Sequence, residues 1–242
     1  MRLDAYLHRI GYTGDLHPTT PVLEALHLAH ATHIPFENLD VLRGVPIRLD
    51  LESLQEKLVD ARRGGYCFEH NLLFSAVLED LGFIVTRLSA RVRHRTTSVL
   101  PRTHMLLLVD VDDARWLADV GFGAEGLLLP VPFGLEQESR QFAWTYRVIA
   151  SEGQWVLQSR RAQVWDDLYA FTLEPQLPID YEVANHYTST HPESRFRKML
   201  TVQLPTPDAR TALRNRELVV DTGMTTTSRS LADDDEIRRV LE

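Results

Sequence analysis

Cysteine is nearly absent from this sequence: Cys67 is the only one among 242 residues, so an internal disulfide is excluded. The sequence also lacks any stretch near the roughly 18 apolar residues that a membrane-spanning helix requires. Residues 1–5 lack the apolar core of a signal peptide. We therefore expect a cytoplasmic protein that does not associate with membranes, and a single free thiol fits such a reducing compartment.

Positive charge is also in short supply, because 34 acidic residues outnumber 26 lysines and arginines and give a formal net charge of −8. Proteins that bind nucleic acids generally present a basic face, so this balance argues against that function. The ten histidines are scattered, and none has the spacing of a zinc motif. We expect no metal site, and His27 and His30 are interpreted as surface or core filler.

The periodicity of apolar residues predicts an α+β fold. A spacing of about 3.6 residues predicts helices over residues 3–10, from a Thr20 cap with Pro21 as first helical residue, from Asp50, and from Cys67 to Gly82. From Ile84 the period changes to 2, which predicts strands. Further strands are predicted at 104–111, 115–121, 144–150, 154–160, 163–171, 198–204, 209–213 and 217–221, and further helices after Asp180 and from Asp233.

These elements predict three parts of one closely packed chain. The first is a helical bundle over residues 1–83 that contains Cys67, and the second is an antiparallel β-barrel-like sheet over 84–180. The third is a C-terminal α/β segment over 181–242. The composition is ordinary for a globular protein, with 44% apolar and 25% charged residues, and no repeat or low-complexity linker separates the parts.

Cys67 is a candidate nucleophile because it follows Gly64 and Gly65 at the predicted start of a helix. A thiol in that position faces unpaired backbone N–H groups and the positive end of the helix dipole, which favour the reactive thiolate. The alternative is a buried cysteine that acts as a small hydrophobe, the commoner fate of a free thiol. Residues further along the chain favour the first interpretation.

His104 opens one apolar run and Asp119 lies near the end of the next, just before a Gly-x-Gly turn. Residues 112–115 between the runs predict a hairpin, so the two strands should be antiparallel neighbours that bring His104 and Asp119 side by side. A thiolate nucleophile needs a base within hydrogen-bond reach, and the base needs an acceptor that fixes its tautomer. Cys67, His104 and Asp119 meet these requirements as a catalytic triad.

In combination these motifs resemble those of the arylamine N-acetyltransferases. That family has an Arg-Gly-Gly-aromatic-Cys segment, a Thr-His at the head of an apolar strand and an Asp-Val-Gly-Phe-Gly turn, matched here by residues 63–67, 103–104 and 119–123. Residues 34–40 and 185–196 also look like the family, so the resemblance spans nearly the whole chain. It implies a catalytic core like that of cysteine proteases, closed by a C-terminal α/β lid.

The resemblance also implies a chemistry for the triad. Cys67 would take an acetyl group from acetyl-CoA as a thioester, with His104 as the base and Asp119 as the residue that orients it. The nitrogen of an arylamine or hydrazine would then attack the thioester. The family resemblance further suggests that Glu37 and Arg63 pair beneath the active site, the alternative being two separate surface charges.

Aromatic residues near the motifs are candidates for an apolar wall that holds an aromatic substrate. Of Phe36, Phe68, Phe122 and Phe196, the last two are favoured, because Phe122 adjoins the triad acid and Phe196 lies in the late family-like segment. The alternative is that they are core residues, as aromatic side chains more often are. Two small residues beside the triad, Thr103 and Gly123, complete the predicted substrate-binding residues.

A basic cluster near His104 could hold the phosphates of CoA. It consists of Arg91, Arg93, His94, Arg95 and Arg102. A solvated strand end and loop explain the same residues equally well, because charge runs are usually solvated.

Three other functions remain open at this stage. A Cys-His-acid triad also serves proteases and transglutaminase-like enzymes that cleave or exchange amides. An amide synthase that closes a macrolactam is a variant within the resembling family and would need a wider cleft. A non-catalytic binding protein could keep the fold, in which case Cys67 would be no more reactive than an ordinary thiol.

Overall fold

Helices dominate the first third of the computed structural model, which describes residues 1–123, 125–134 and 137–241. Asp50 caps one of them, because its side chain accepts a hydrogen bond of 2.9 Å from the backbone N–H of Ser53. These elements are α1 (Leu3–Arg9), α2 (Thr20–His33), β1 (Phe36–Glu37), α3 (Leu39–Arg43), α4 (Leu51–Gln55), a π-helical turn (Glu56–Asp60) and α5 (Cys67–Asp80).

The predicted helices of this region are confirmed, with one shift at the start of α2. Thr20 is not the cap: the N-cap is Thr19, whose side chain makes no capping bond, and Pro21 lies in the first turn. Cys67 is the first residue of α5, as predicted.

An eight-stranded antiparallel sheet forms the centre of the molecule. Its order is β5-β4-β3-β2-β9-β8-β7-β6, and it curls so that β5 also lies against β7. Its strands are β2 (Ile84–Val92), β3 (Arg102–Val111), β4 (Ala114–Ala118), β5 (Val131–Pro132), β6 (Ser139–Gln141), β7 (Trp144–Ser151), β8 (Gln154–Arg161) and β9 (Val164–Phe171). The predicted barrel-like sheet is therefore confirmed, although β4 ends at Ala118 rather than at residue 121.

The hairpin between β3 and β4 positions the residues of interest. Asp112 and Asp113 both have positive φ, as a two-residue hairpin turn with the twist of its strands requires. The register pairs Leu107 with Ala118, so the chain beyond β4 continues alongside the start of β3. Asp119 is thus carried toward His104.

Strand β3 is buried on both faces, which explains its uninterrupted apolar sequence. Met105, Leu107 and Val109 pack into the core formed with the helices, whereas Leu106 and Leu108 pack into the interior of the curled sheet. A strand between two cores needs apolar residues at successive positions rather than at alternate ones. His104 is the polar residue at the head of this strand.

A second antiparallel sheet is built mainly from the C-terminal part and has the order β1-β10-β11-β12-β13. The short β1 pairs with β10, Phe36 opposite Gln203, and so attaches the helical part to this sheet. The C-terminal elements are α6 (Pro178–Thr190), α7 (Arg195–Lys198), β10 (Thr201–Pro205), β11 (Arg210–Arg214), β12 (Glu217–Asp221), β13 (Thr226–Ser230) and α8 (Asp234–Leu241). The predicted α+β class is confirmed. Within the three described ranges, no helix has the length and apolar character to cross a membrane.

Candidate active site

Cys67 is held at the N-terminus of α5 by close packing of the chain before and beside it. The side chain of Glu69 accepts a hydrogen bond of 3.0 Å from the backbone N–H of Tyr66 and caps the helix. A Cβ at Gly64 would lie 2.0 Å from the carbonyl oxygen of Pro35, and one at Gly121 would lie 2.9 Å from the Cys67 Cα. Only glycine allows these approaches, which place the buried thiol between two loops.

His104 and Asp119 form a buried pair in which Nε2 lies 2.7 Å from Oδ2. Burial alone would lower the pKa of His104, but the charge and hydrogen bond of Asp119, followed by the Cys67 side chain, outweigh it and raise that pKa to about 10. Burial likewise opposes ionisation of Asp119, yet His104 holds the carboxylate pKa below its usual value. Because Nε2 binds Asp119, Nδ1 is the ring nitrogen left for Cys67.

Asn71 joins the helix of the thiol to the segment of the acid. Its Nδ2 donates to Asp119 Oδ1 at 2.9 Å and to the Met105 carbonyl at 2.8 Å, and its Oδ1 accepts from Val120 N at 3.2 Å. Sequence reasoning missed Asn71. The available signal was its position four residues after Cys67, which places both on one face of a helix.

His27 holds Asp119 from the other side. Its Nδ1 lies 3.0 Å from the Leu128 carbonyl and must carry the proton, so its Nε2 is free to accept the backbone N–H of Asp119 at 3.1 Å. Burial lowers the pKa of His27 to about 4, which keeps the ring neutral and the two roles distinct. His27 was interpreted from the sequence as surface or core filler, but its side chain has a further role, because it holds the backbone N–H of Asp119.

His30 belongs to a second buried chain of hydrogen bonds. Its Nδ1 lies 2.8 Å from the Tyr6 hydroxyl and its Nε2 lies 2.9 Å from His70 Nδ1. His70 Nε2 lies 3.1 Å from the Gly65 carbonyl, two residues before the thiol. This chain connects α1 and α2 to the loop that presents Cys67.

Cys67 and His104 line an open cleft of about 340 Å³. Three of the four predicted substrate-binding residues, Thr103, Phe122 and Phe196, also line it. The Cys67 Sγ lies 3.6 Å from the Thr103 carbonyl oxygen, and the Phe122 ring lies edge to face with His104 at 5.1 Å between centroids.

The remaining aromatic and small candidates are divided between the cleft and its surroundings. Phe36 lines the cleft and its ring lies 6.0 Å from that of Phe196. Gly123 borders a separate cavity of about 40 Å³ behind Phe122, and it has a φ of +67°. Phe68 is buried in the core against Tyr66.

Two members of the basic cluster, His94 and Arg95, line the cleft. The others have partners elsewhere: Arg93 pairs with Asp167, Arg102 pairs with Glu174, and Arg91 donates to the Leu100 carbonyl. Arg195, in the family-like segment 185–196, lines the cleft as well. It was not part of the basic cluster predicted near His104.

The predicted pairing of Glu37 with Arg63 is confirmed, with 2.9 Å between Oε1 and Nη2. It belongs to a larger network, because Arg63 also binds Asp40, and Lys57 bridges Asp40 to Glu69, the cap of α5. Burial raises the pKa of Glu69 to about 7, although Lys57 opposes this. Among the described residues, no group of three His, Cys, Asp or Glu side chains could hold a metal ion.

Comparison with known proteins identifies the class to which this fold and site belong. The family model described as N-acetyltransferase matches residues 19–242. An arylamine N-acetyltransferase of Mycolicibacterium smegmatis is 46% identical over 228 residues, which cover 91% of this chain and 82% of that protein.

Two solved structures extend the likeness to the whole fold. Arylamine N-acetyltransferase from M. tuberculosis matches with a TM-score of 0.96 and 40% identity, covering 100% of this chain and 91% of the other. The Mycobacterium marinum enzyme in complex with CoA matches with a TM-score of 0.94 and 36% identity, covering 99% and 90%. The protein is therefore an acyltransferase. It belongs to the arylamine N-acetyltransferase family.

Proposed function

We propose that this protein transfers an acetyl group from acetyl-CoA to arylamines, arylhydrazines or related amines by a ping-pong mechanism through Cys67. The observation that carries the proposal is the buried His104–Asp119 pair beside the single thiol at an open cleft. The CoA complex of the M. marinum relative supports CoA as the donor.

The resting state proposed for the site is a thiolate on Cys67 and an imidazolium on His104, stabilised by Asp119. The sulfur attacks the carbonyl carbon of acetyl-CoA, the C–S bond to CoA breaks, and His104 gives its proton to the departing CoA sulfur. Acetyl-Cys67 and neutral His104 remain. This chemistry requires a group that alternates between acid and base, which imidazole provides.

In the second half-reaction the amine nitrogen attacks the acetyl carbonyl of the thioester. His104 accepts the proton that the nitrogen loses, and the C–S bond breaks to return Cys67 as a thiolate. Asp119 fixes the tautomer of the neutral imidazole and stabilises the cation that forms. Phe122 and Phe196 provide the apolar walls against which an aromatic acceptor would stack.

Cleft size favours a small acceptor over the macrolactam-forming alternative. A volume of about 340 Å³ lies in the range of a small-molecule pocket, whereas a long chain bound to a carrier would need a wider opening. Hydrolysis of amides through the same triad is the second candidate function. It differs in the acceptor, because water would then discharge the acyl-enzyme.

An intact-mass measurement tests the proposal. Incubation with acetyl-CoA should add one acetyl group to the wild-type protein and none to Cys67→Ala, because no other thiol exists to carry it. An arylamine should then remove the adduct far faster than water does. A mass gain that persists in Cys67→Ala contradicts the proposed nucleophile, and discharge by water at the same rate supports a hydrolase.

We propose a cytoplasmic location, supported by the unpaired thiol and by the use of acetyl-CoA. We also propose three subdomains, over residues 1–83, 84–180 and 181–242, of which Glu242 lies outside the described residues. The first boundary is supported by the change from α5 to β2. The second lies close to Pro178, where α6 begins.

A further inference from the structure

The β10–β11 ladder directs Arg214 toward the cleft. Its register pairs Gln203 with Ala212 and Thr201 with Arg214. Residues that face each other across a ladder share a face of the sheet, and so do residues two apart along a strand. Gln203 lines the cleft, so Arg214 and Thr201 lie on the cleft side of this sheet.

Arg195 and Arg214 converge on the same region of the cleft wall. Arg195 lines the cleft, and its pKa is lowered by burial and further by the charge of Arg214, as expected for two cations on one wall. His94, which lines the cleft, is also influenced by both arginines. The three groups therefore belong to one wall of the cleft.

Within the described part of the chain, two acids of this region already have other partners. Glu125, the acid of this region, pairs with Arg95 at 3.6 Å and accepts from Ser159 at 2.8 Å. Glu193 lines the cleft but pairs with Lys198 at 2.9 Å.

In the described ranges, neither Arg195 nor Arg214 forms an ion pair with a carboxylate. Arg195 contacts the Phe196 ring, with its guanidinium carbon 5.3 Å from the ring centroid. Two neighbouring cations without a counterion repel each other unless an anion joins them.

Unpartnered hydrogen-bonding atoms occur at the same place. Arg214 Nε, His94 Nδ1 and Thr201 Oγ1 are buried and have no hydrogen-bond partner within the described part of the chain. Buried polar groups are generally bonded, so such atoms call for a hydrogen-bond partner from outside the protein. Guanidinium groups present their N–H donors in a planar fork that matches phosphate and carboxylate oxygens.

We propose that Arg195 and Arg214, together with His94, form an oxyanion-binding subsite on the wall of the cleft. The oxyanion is either a phosphate of the acyl donor or the carboxylate of an anionic amine acceptor. The subsite rests on the proposed function for its ligands, but its occupation requires no transfer of the acetyl group.

Protection of Cys67 from iodoacetamide tests the subsite without turnover, so it remains informative if the proposed transfer is not observed. The protectants are CoA and pantetheine, which lacks phosphates, and 4-aminobenzoate and its neutral amide, 4-aminobenzamide. Each is titrated against the wild type, Arg195→Gln, Arg214→Gln and the control Arg197→Gln. Arg197 lies on the same short helix, is exposed and contacts only a backbone carbonyl at 3.3 Å.

If the donor supplies the oxyanion, both variants should need about ten-fold more CoA than the control, with pantetheine unchanged, as expected for a lost charged hydrogen bond. If the acceptor supplies it, the loss should appear with 4-aminobenzoate and not with the amide. Equal protection of variants and control by all four compounds overturns the proposal, as does an equal loss for charged and neutral partners. Arg195→Gln, at the cleft surface, keeps the test decisive if Arg214→Gln does not fold.

Discussion

His104 presents Nε2, not Nδ1, to Asp119, at 2.7 Å from the Oδ2 oxygen. The ring is therefore oriented so that Nδ1, the nitrogen nearer the backbone, is available to hydrogen-bond with the Cys67 thiol. Because Asp119 Oδ1 is separately held by Asn71 and the Gly121 N–H, the carboxylate cannot rotate away without breaking two further bonds. The orientation of the imidazole is therefore set by Asp119 and Asn71, which do not line the cleft, and by Gly121, which does.

His104→Gln should reduce turnover by about 10²- to 10⁴-fold, the usual contribution of a general base. Glutamine is polar and of similar size, so the fold should persist. Single-turnover acetylation and thermal unfolding of the variant measure the two effects separately. Wild-type turnover in the folded variant would contradict the assigned base.

Asp119→Asn should be severe although Asp119 contacts no substrate in this mechanism. The amide can present its N–H₂ group to the ring and favour the wrong tautomer, which in a serine triad costs on the order of 10⁴ in turnover. Alkylation of Cys67 by iodoacetamide at neutral pH should slow together with catalysis. If the pH profile of alkylation is unchanged in the folded variant, Asp119 does not control the reactivity of Cys67.

His27→Phe should destabilise the protein and lower activity together. The substitution leaves the Asp119 N–H and the Leu128 carbonyl buried without a partner, at a cost of about 1–3 kcal/mol for each group. Urea unfolding and kcat measure the two losses. His33→Phe, at an exposed position of the same helix, is the matched control, and an equal effect of both changes would argue against the contact with the acid.

Buried neutral histidines should make the protein sensitive to mild acid. Burial lowers the pKa of His27 to about 4, whereas in the unfolded chain it is about 6.5. Between these values the unfolded state binds more protons, so the free energy of unfolding should fall as pH falls, by up to about 1.4 kcal/mol per pH unit for this residue.

Comparison of the wild type with His27→Gln isolates that contribution. Other titrating groups are present in both proteins, among them Glu69, whose pKa burial raises to about 7. The pH slope of urea unfolding between pH 4 and 6.5 should therefore be smaller in the variant. Identical slopes would mean that folding does not lower the pKa of His27.

Sequence patterns predicted the elements that depend on local signals. The start of α5 at Cys67 follows from a glycine pair and a helical period, and the approach of His104 to Asp119 follows from a hairpin. β1 and α3 were missed because two and five residues are too short to show a period.

Contacts between distant segments could not be predicted in this way. His27 lies 92 residues from Asp119, and only the folded chain shows that they meet. The convergence of Arg195 with Arg214 likewise depends on the register of the second sheet. The division into three subdomains stays a prediction.

The short strand β1 has a consequence for the order of assembly. Asn38, just after β1, accepts a hydrogen bond from Thr201, 163 positions later in the chain. Phe36 pairs with Gln203 on one side and bridges to Gly65, beside the thiol loop, on the other. Closing so long a loop is slow. Because Thr201 and Gln203 lie in the last third of the chain, this wall of the cleft can form only after that part has been synthesised. Until then a nascent chain carries its single thiol unshielded by the second sheet, and early release from the ribosome would leave it open to oxidation.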